Sequence, residues 1–374
     1  MPSVVFLGSG PLIEDLKKLG FLTKELKLSD RLLKMGDSPV YRQNKWGQLL
    51  KLGLCLPDII RAVRSIKECI RVPGSPGWIH SNGFKTHVLT ALAAPKKMPI
   101  YWHIHDFIGQ RPIMRKALNL VWRNGITAIA VSSAVAKDFS LCVPKCPLVT
   151  WQNTVDTLKF TAEGPEIANL DLLANLDSQW SGIRIGIVAT YARWKGHDTF
   201  LRAASLLSNL ALPVRFYIIG GPVYQSPGSQ WTTEELNQLV RAYRLEGKVG
   251  FVPFQSETSP IYRALDIVVH ASTKPEPFGL VIAEAMASRK PIVAVLEGGA
   301  SEIGTDGVDC LGFKPDDHEG LADRLFKLVH DPMLRENLAV AGERKIKDHF
   351  SQDVIVPRWR DLIGRSFQIA DSTS

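Results

Sequence analysis

Long apolar runs are missing from this chain of 374 residues. No stretch approaches the ~20 apolar residues that cross a bilayer, and nothing at the start reads as a signal peptide. These absences lead us to expect a cytoplasmic protein. Cysteine is scarce. Its five positions (55, 69, 142, 146 and 310) have no metal-ligand spacing, and Cys142 and Cys146 have no nearby histidine partners, so reduced thiols are expected. Internal repeats, low-complexity linkers and an Asp-x-Asp motif are also missing.

What remains is an ordinary globular composition, 45% apolar and 22% charged. The length suits two domains, each able to bury a core. The net charge of +8 hides an asymmetry. Residues 1–155 hold 22 Lys and Arg against 9 Asp and Glu, a balance of +13, and residues 156–374 hold 23 against 28, a balance of −5. A basic first half suggests an anionic partner, either membrane phospholipid or an acidic acceptor. The basic residues are dispersed with no recognition motif beside them, which argues against nucleic acid.

The densest signal is EPFGLVIAEAMASRKPIVAVLEGGASEI, from Glu276 to Ile303. Residues 280–288 read as a helix entered through Phe278-Gly279. A helix start offers unpaired N–H groups and a positive dipole end, which suits a phosphate. Gly279 has no Cβ to hold that phosphate away. Glu276 lies before the helix and Glu284 one to two turns inside it, so their carboxylates bracket one ligand. Carboxylates beside an anion site need hydroxyl donors, and a sugar nucleotide has them at both ends. The strand from Pro291 to Leu296 runs into Gly298-Gly299, at the strand end where open α/β sheets bind ligands. Two solvated glutamates and a packing glycine are the bland alternative.

The Glu-x7-Glu pair with its internal Pro-Phe-Gly, followed by Gly-Gly-x-x-Glu-Ile, resembles the family 4 retaining glycosyltransferases of GT-B fold. The resemblance covers Ile183 to Asp316 best, is looser from Trp78 to Phe160, and is weak before that. It implies an α/β protein of two Rossmann-like domains facing each other across a cleft. We place the first at residues 1–155, on the acceptor side, and the second at 156–356, on the nucleotide-sugar side. A terminal helix, 357–374, is expected to pack back on the first. Family members have about one more β-α unit before the strand at residues 4–8, judged by the size of such a unit, and the first domain here reads as lacking it.

Along the chain, residues 30–56 read as irregular and basic. Pro57-Asp58 opens a helix with Ile59, Ile60, Val63, Ile66 and Ile70 on one face and Arg61, Arg64, Lys67 and Arg71 largely away from it. Such a helix lies on a membrane or, more commonly, packs on its own sheet. A strand at Pro99–Trp102 ends at His103-Ile104-His105-Asp106. In the family a histidine here sits beside the donor phosphate and the acceptor, and the resemblance assigns that place to His105. Alternation puts His103 on the same face. Ile126 to Val131 reads as the last strand of this half, with Ser132-Ser133 capping the next helix.

The second half opens with a strand, Ile183 to Ala189, and a basic turn ending Arg193-Trp194-Lys195-Gly196. Relatives carry an Arg where this chain has Thr190, a departure, and a Lys that matches Lys195. Arg193 is the candidate for the second cation on a diphosphate leaving group. Val252 and Phe254 fall where relatives hold the nucleobase, largely by backbone contacts. The resemblance assigns Glu284 to the ribose hydroxyls and Glu276 to the sugar hydroxyls. Lys195 and Arg193, with the backbone at Gly279 and Leu280, then hold the diphosphate, and Phe278 is counted among the donor-binding residues.

The expected activity is transfer of a sugar from a nucleotide-diphosphate sugar, a UDP-sugar first, to a glycan, lipid-linked or small-molecule acceptor. The family retains the anomeric configuration and uses no metal or cofactor, and the missing Asp-x-Asp agrees. Peripheral association with the inner face of a membrane fits the charge. Two other readings stay open: a non-catalytic module that binds nucleotide sugar, and a sugar-nucleotide epimerase.

Overall fold

The structure is a computed structural model that describes residues 3–10, 12–29, 32, 45–71, 77–223 and 228–359. Two compact units divide the chain, Met1–Thr150 and Trp151–Ser374.

In the first unit β1 (Ser3–Phe6) and β2 (Leu22–Glu25) pair in parallel as a sheet of their own, joined through the helix Leu12–Lys18. A second parallel sheet takes β3 (Ile79–Asn82), β4 (Ile100–Ile104), β5 (Ile126–Ala130) and β6 (Leu148–Thr150) in that order. Every residue of β4 is buried, as expected of a parallel strand covered on both faces. Two strands escaped the sequence: β2, and β6, which follows the strand expected to be last. Ser132 caps the helix Ser133–Cys142 as expected, its Oγ accepting from the Val135 N–H at 3.1 Å.

The largest correction concerns residues 45–56, expected to be irregular. They belong to one long helix, Lys45–Ile70, with Pro57 inside it. A proline removes one backbone hydrogen bond and costs about 3 kcal/mol in a helix interior. The stripe of Cys55, Ala62, Ile66 and Ile70 is buried and offsets that cost, as the helix packs on its neighbour Phe84–Ala93. Ile60, placed on the buried face by periodicity, is 45% exposed. Most of the rest of residues 30–44 lies outside the described residues.

The second unit holds β7 (Ile183–Val188), β8 (Val214–Ile219), β9 (Val249–Val252), β10 (Ile267–His270), β11 (Ile292–Val295) and β12 (Leu311–Phe313). All pair in parallel in the order β12-β11-β10-β7-β8-β9. This is a doubly wound sheet whose order reverses between β7 and β10, and ligands of such sheets bind outside the strand C-termini at that reversal. Its core gathers Ile185, Phe200, Phe216, Ile218, Val269 and Leu325, all without exposure. Residues 352–359 are helical, and the Trp359 ring stacks on Trp151 at 4.3 Å. The remainder of the expected terminal helix, and its packing on the first unit, lie outside the described residues.

Candidate active site

The turns after β7 and β10 meet at the reversal point. After β7 the chain tightens into a 3-10 turn, Arg193–Lys195, closed by Gly196 at φ 77°. A Cβ at Gly196 would lie 1.8 Å from the Ala271 carbonyl oxygen, so only glycine lets this turn seat against the end of β10. The Thr273 N–H donates to the Trp194 carbonyl at 2.7 Å and secures the contact.

The loop after β10 is fixed from its other side. Glu276 N–H donates to the Glu297 carbonyl at 3.2 Å, and Gly299 N–H donates to the Glu276 carbonyl at 2.7 Å. Cβ atoms at Gly298 and Gly299 would meet the Glu276 and Pro277 carbonyl oxygens at 2.4 and 2.2 Å. The Gly-Gly pair is therefore a close-approach device for the Pro-Phe-Gly segment.

These two anchors bring Lys195 Nζ to 2.5 Å from Glu276 Oε1. The same oxygen accepts from Ser272 Oγ at 2.6 Å and lies 3.1 Å from His270 Nε2. Lys195 and Glu276 side chains are 19% and 8% exposed, so this is a largely desolvated pair. Burial alone would raise the Glu276 carboxyl. The His270 hydrogen bond and the Lys195 charge outweigh it and hold the group down at about 2.

Next to this cluster the helix Leu280–Ala287 begins at Gly279, with φ 106° and no side-chain cap. Its first N–H groups lack intrahelical partners and face an anion favourably. Glu284, inside the helix, accepts from Tyr262 Oη at 2.8 Å. Burial raises the Glu284 carboxyl above its usual value, with Tyr262 and Lys159 pulling the other way. Two carboxyls on one motif thus have opposite perturbations: one clamped as an anion, the other easier to protonate.

Other expected residues have different settings. Arg193 pairs with Glu235 at 2.6 Å and lies 3.9 Å over the Trp231 ring, so its guanidinium is already engaged. Phe278 is buried, edge-on to Phe350, and Val252 is fully buried with its carbonyl accepting from Gly220 N–H. Neither side chain is available, and the Val252 carbonyl is already engaged by the sheet. Leu280 and Phe254 are exposed, 43% and 66%.

In the first unit, His105 Nε2 lies 2.9 Å from Asn82 Oδ1. The amide oxygen only accepts, so Nε2 carries the proton. Its ring lies 4.1 Å from that of His103, which in turn is 3.2 Å from His80 by Nδ1 and Nε2. Burial, then the neighbouring imidazoles, push His103 down to about 2 and His80 to about 4, so both stay neutral. A pocket of about 350 Å³ opens beside His105, walled by Asn82, Phe84, Lys85, Asp106 and Arg111. Among the described residues no group of three His, Cys, Asp or Glu is placed to hold a metal.

Sequence reading missed His270, Ser272 and Tyr262. His270 and Ser272 stand six and four residues before Glu276, at a strand's C-terminal end, and that position was the available signal.

Residues 180–345 match the family model for glycosyl transferases group 1. That match falls wholly within the second unit. Lys195, His270, Glu276 and Glu284 all lie inside it. The lipopolysaccharide core biosynthesis glycosyltransferase LpsE of Rhizobium meliloti is 27% identical over 214 residues, covering 57% of this chain and 58% of that protein. The D-inositol 3-phosphate glycosyltransferase of Salinispora tropica is 31% identical over 222 residues, covering 57% and 45%. The chain thus spans about half the length of these curated relatives. Among solved structures, Anabaena HepE in complex with UDP-glucose superposes with a TM-score of 0.76 at 20% identity, over 97% of this chain and 91% of that one. Sucrose-phosphate synthase from Thermosynechococcus elongatus gives 0.74 at 20% identity, over 99% and 96%. These two likenesses show that the chain has the GT-B fold.

Proposed function

We propose that the protein is a family 4 retaining glycosyltransferase, moving a sugar from a UDP-sugar to a glycan, lipid-linked or small-molecule acceptor. The observation that carries this reading is the Lys195–Glu276 pair at the strand reversal, beside the uncapped start of the helix Leu280–Ala287. A cation and free backbone N–H groups suit a diphosphate, and flanking carboxylates suit hydroxyls. Lys195 and the N–H groups around Gly279 and Leu280 hold the diphosphate and stabilise the charge that grows on it as the glycosidic bond breaks. Arg193 adds a second cation once released from Glu235. Glu284 takes the ribose hydroxyls and Glu276 the sugar hydroxyls, and the backbone that follows Val252, at Phe254, faces the base. His105, which lines a pocket of the first unit, is the candidate to meet the acceptor.

The choice of UDP is supported by the HepE structures, which hold UDP, UDP with glucose, and UDP-glucose. We take the reaction to need no metal. We also infer a cytoplasmic setting against an anionic membrane face. All five cysteines are free, among the described residues no helix is long and apolar enough to cross a membrane, and exposed Arg61, Arg64 and Lys67 line one helix of the basic first unit.

Incubation with radiolabelled UDP-, GDP- and ADP-sugars tests the assignment. Hydrolysis or transfer with the UDP-sugar supports it. Binding without turnover, or interconversion of the free nucleotide sugar, overturns it.

A further inference from the structure

We infer that His270, together with Ser272, is a positioning residue that holds the Glu276 carboxylate in its sugar-binding orientation. The inference rests on the reading of Glu276 as the ligand of the donor sugar. His270 is the last residue of β10 and is 5% exposed. Its Nε2 lies 3.1 Å from both Glu276 Oε1 and Ser272 Oγ. Carboxylate oxygens only accept, so Nε2 carries the proton.

Three donors, Lys195, His270 and Ser272, converge on Oε1 alone, while Oε2 has no hydrogen bond among the described residues. The terminal torsion of a glutamate is otherwise broad. Saturating one oxygen fixes that torsion and leaves the other oxygen's lone pairs for a ligand hydroxyl. Lys195 cannot do this alone. When its charge turns to a diphosphate its grip on Oε1 weakens, and His270 and Ser272 keep the carboxylate in place through that exchange.

Packing does not account for the histidine. His270 Nδ1 is buried and lacks a partner among the described residues, a cost that an apolar side chain at the end of an otherwise apolar strand avoids.

The test uses the full chain with UDP and UDP-glucose as probes, measuring calorimetric Kd together with KM and kcat for UDP-glucose. His270→Phe keeps the bulk and removes the donor, and His270→Gln keeps an N–H at similar reach. Loss of a hydrogen bond to a charged group predicts a fall of about tenfold to a hundredfold in kcat/KM for UDP-glucose. UDP affinity should stay within about twofold of wild type by the same reasoning. His270→Gln should recover most of the loss, and Ser272→Ala should show a smaller loss of the same kind. Equal losses for UDP and UDP-glucose, or His270→Gln no better than His270→Phe, would overturn the proposal. Glu276→Gln separates it from the reading beneath it. If that variant keeps the wild-type preference for UDP-glucose over UDP, the sugar role of Glu276 fails and the proposal with it. If Glu276→Gln loses the preference and His270→Phe keeps it, only His270 is wrong.

Discussion

Lys195 Nζ lies 2.5 Å from Glu276 Oε1 across 81 residues of sequence. The cation suited to a diphosphate neutralises the carboxylate suited to a sugar. On the proposed reading, a nucleotide sugar inserts between two groups that already pair with each other.

Lys195→Ala should consequently do two things. It removes the diphosphate's cation, weakening UDP binding on the order of tenfold to a hundredfold. It also leaves a buried carboxylate with only His270 and Ser272 as donors, so the melting temperature should fall. Breaking a buried pair costs up to about 3–5 kcal/mol, and the two remaining donors keep the loss below that. Calorimetry with UDP and a thermal melt of the same sample measure both effects. Unchanged UDP affinity in the folded variant would remove Lys195 from the site.

The two glutamates should respond to acid in opposite ways. Glu276, held at about 2 when folded against its usual 4.5, adds stability that is full above 4.5 and is lost as pH falls toward 2. Glu276→Gln should flatten that acid limb in denaturant titrations. Glu284, raised by burial, protonates earlier on acidification than an ordinary glutamate. UDP affinity should therefore weaken at a pH above the usual carboxylate range, and Glu284→Gln should be weak at every pH. An affinity profile that is flat down to the ordinary carboxylate value would contradict the ribose role.

Arg193 is held by Glu235 and Trp231, so it serves a diphosphate only by leaving them. Arg193→Ala should reduce kcat more than UDP affinity, because charge on the leaving group grows in the transition state. Glu235→Gln should raise UDP affinity by releasing the guanidinium. A lower melting temperature with unchanged kcat would show that Arg193 is a strut for the Trp231 turn.

The basic first unit should bind anionic vesicles at low salt and release them at high salt, since each basic residue near such a surface contributes about 1 kcal/mol within a Debye length. Co-sedimentation measures this. Binding to neutral vesicles alone would contradict the electrostatic account.

How much of this was legible in sequence depended on whether the cause was local. The helix Leu280–Ala287, the strands before it and the turn ending at Gly196 follow from apolar runs and glycine positions. Pairing Lys195 with Glu276 needs the strand order, which no local pattern encodes. The placement of Arg193 on Trp231 likewise depends on a turn 38 residues later. Pro57 misled because its local penalty was visible, while the tertiary packing that outweighs it was not. His270 was hidden in an apolar strand, where a histidine reads as core.

The most direct test is the anomeric configuration of the first product formed from UDP-α-glucose, followed by proton NMR in the presence of EDTA. The account predicts an α-configured sugar, formed at the same rate with and without the chelator. A β-configured product, or a rate abolished by EDTA, would contradict it.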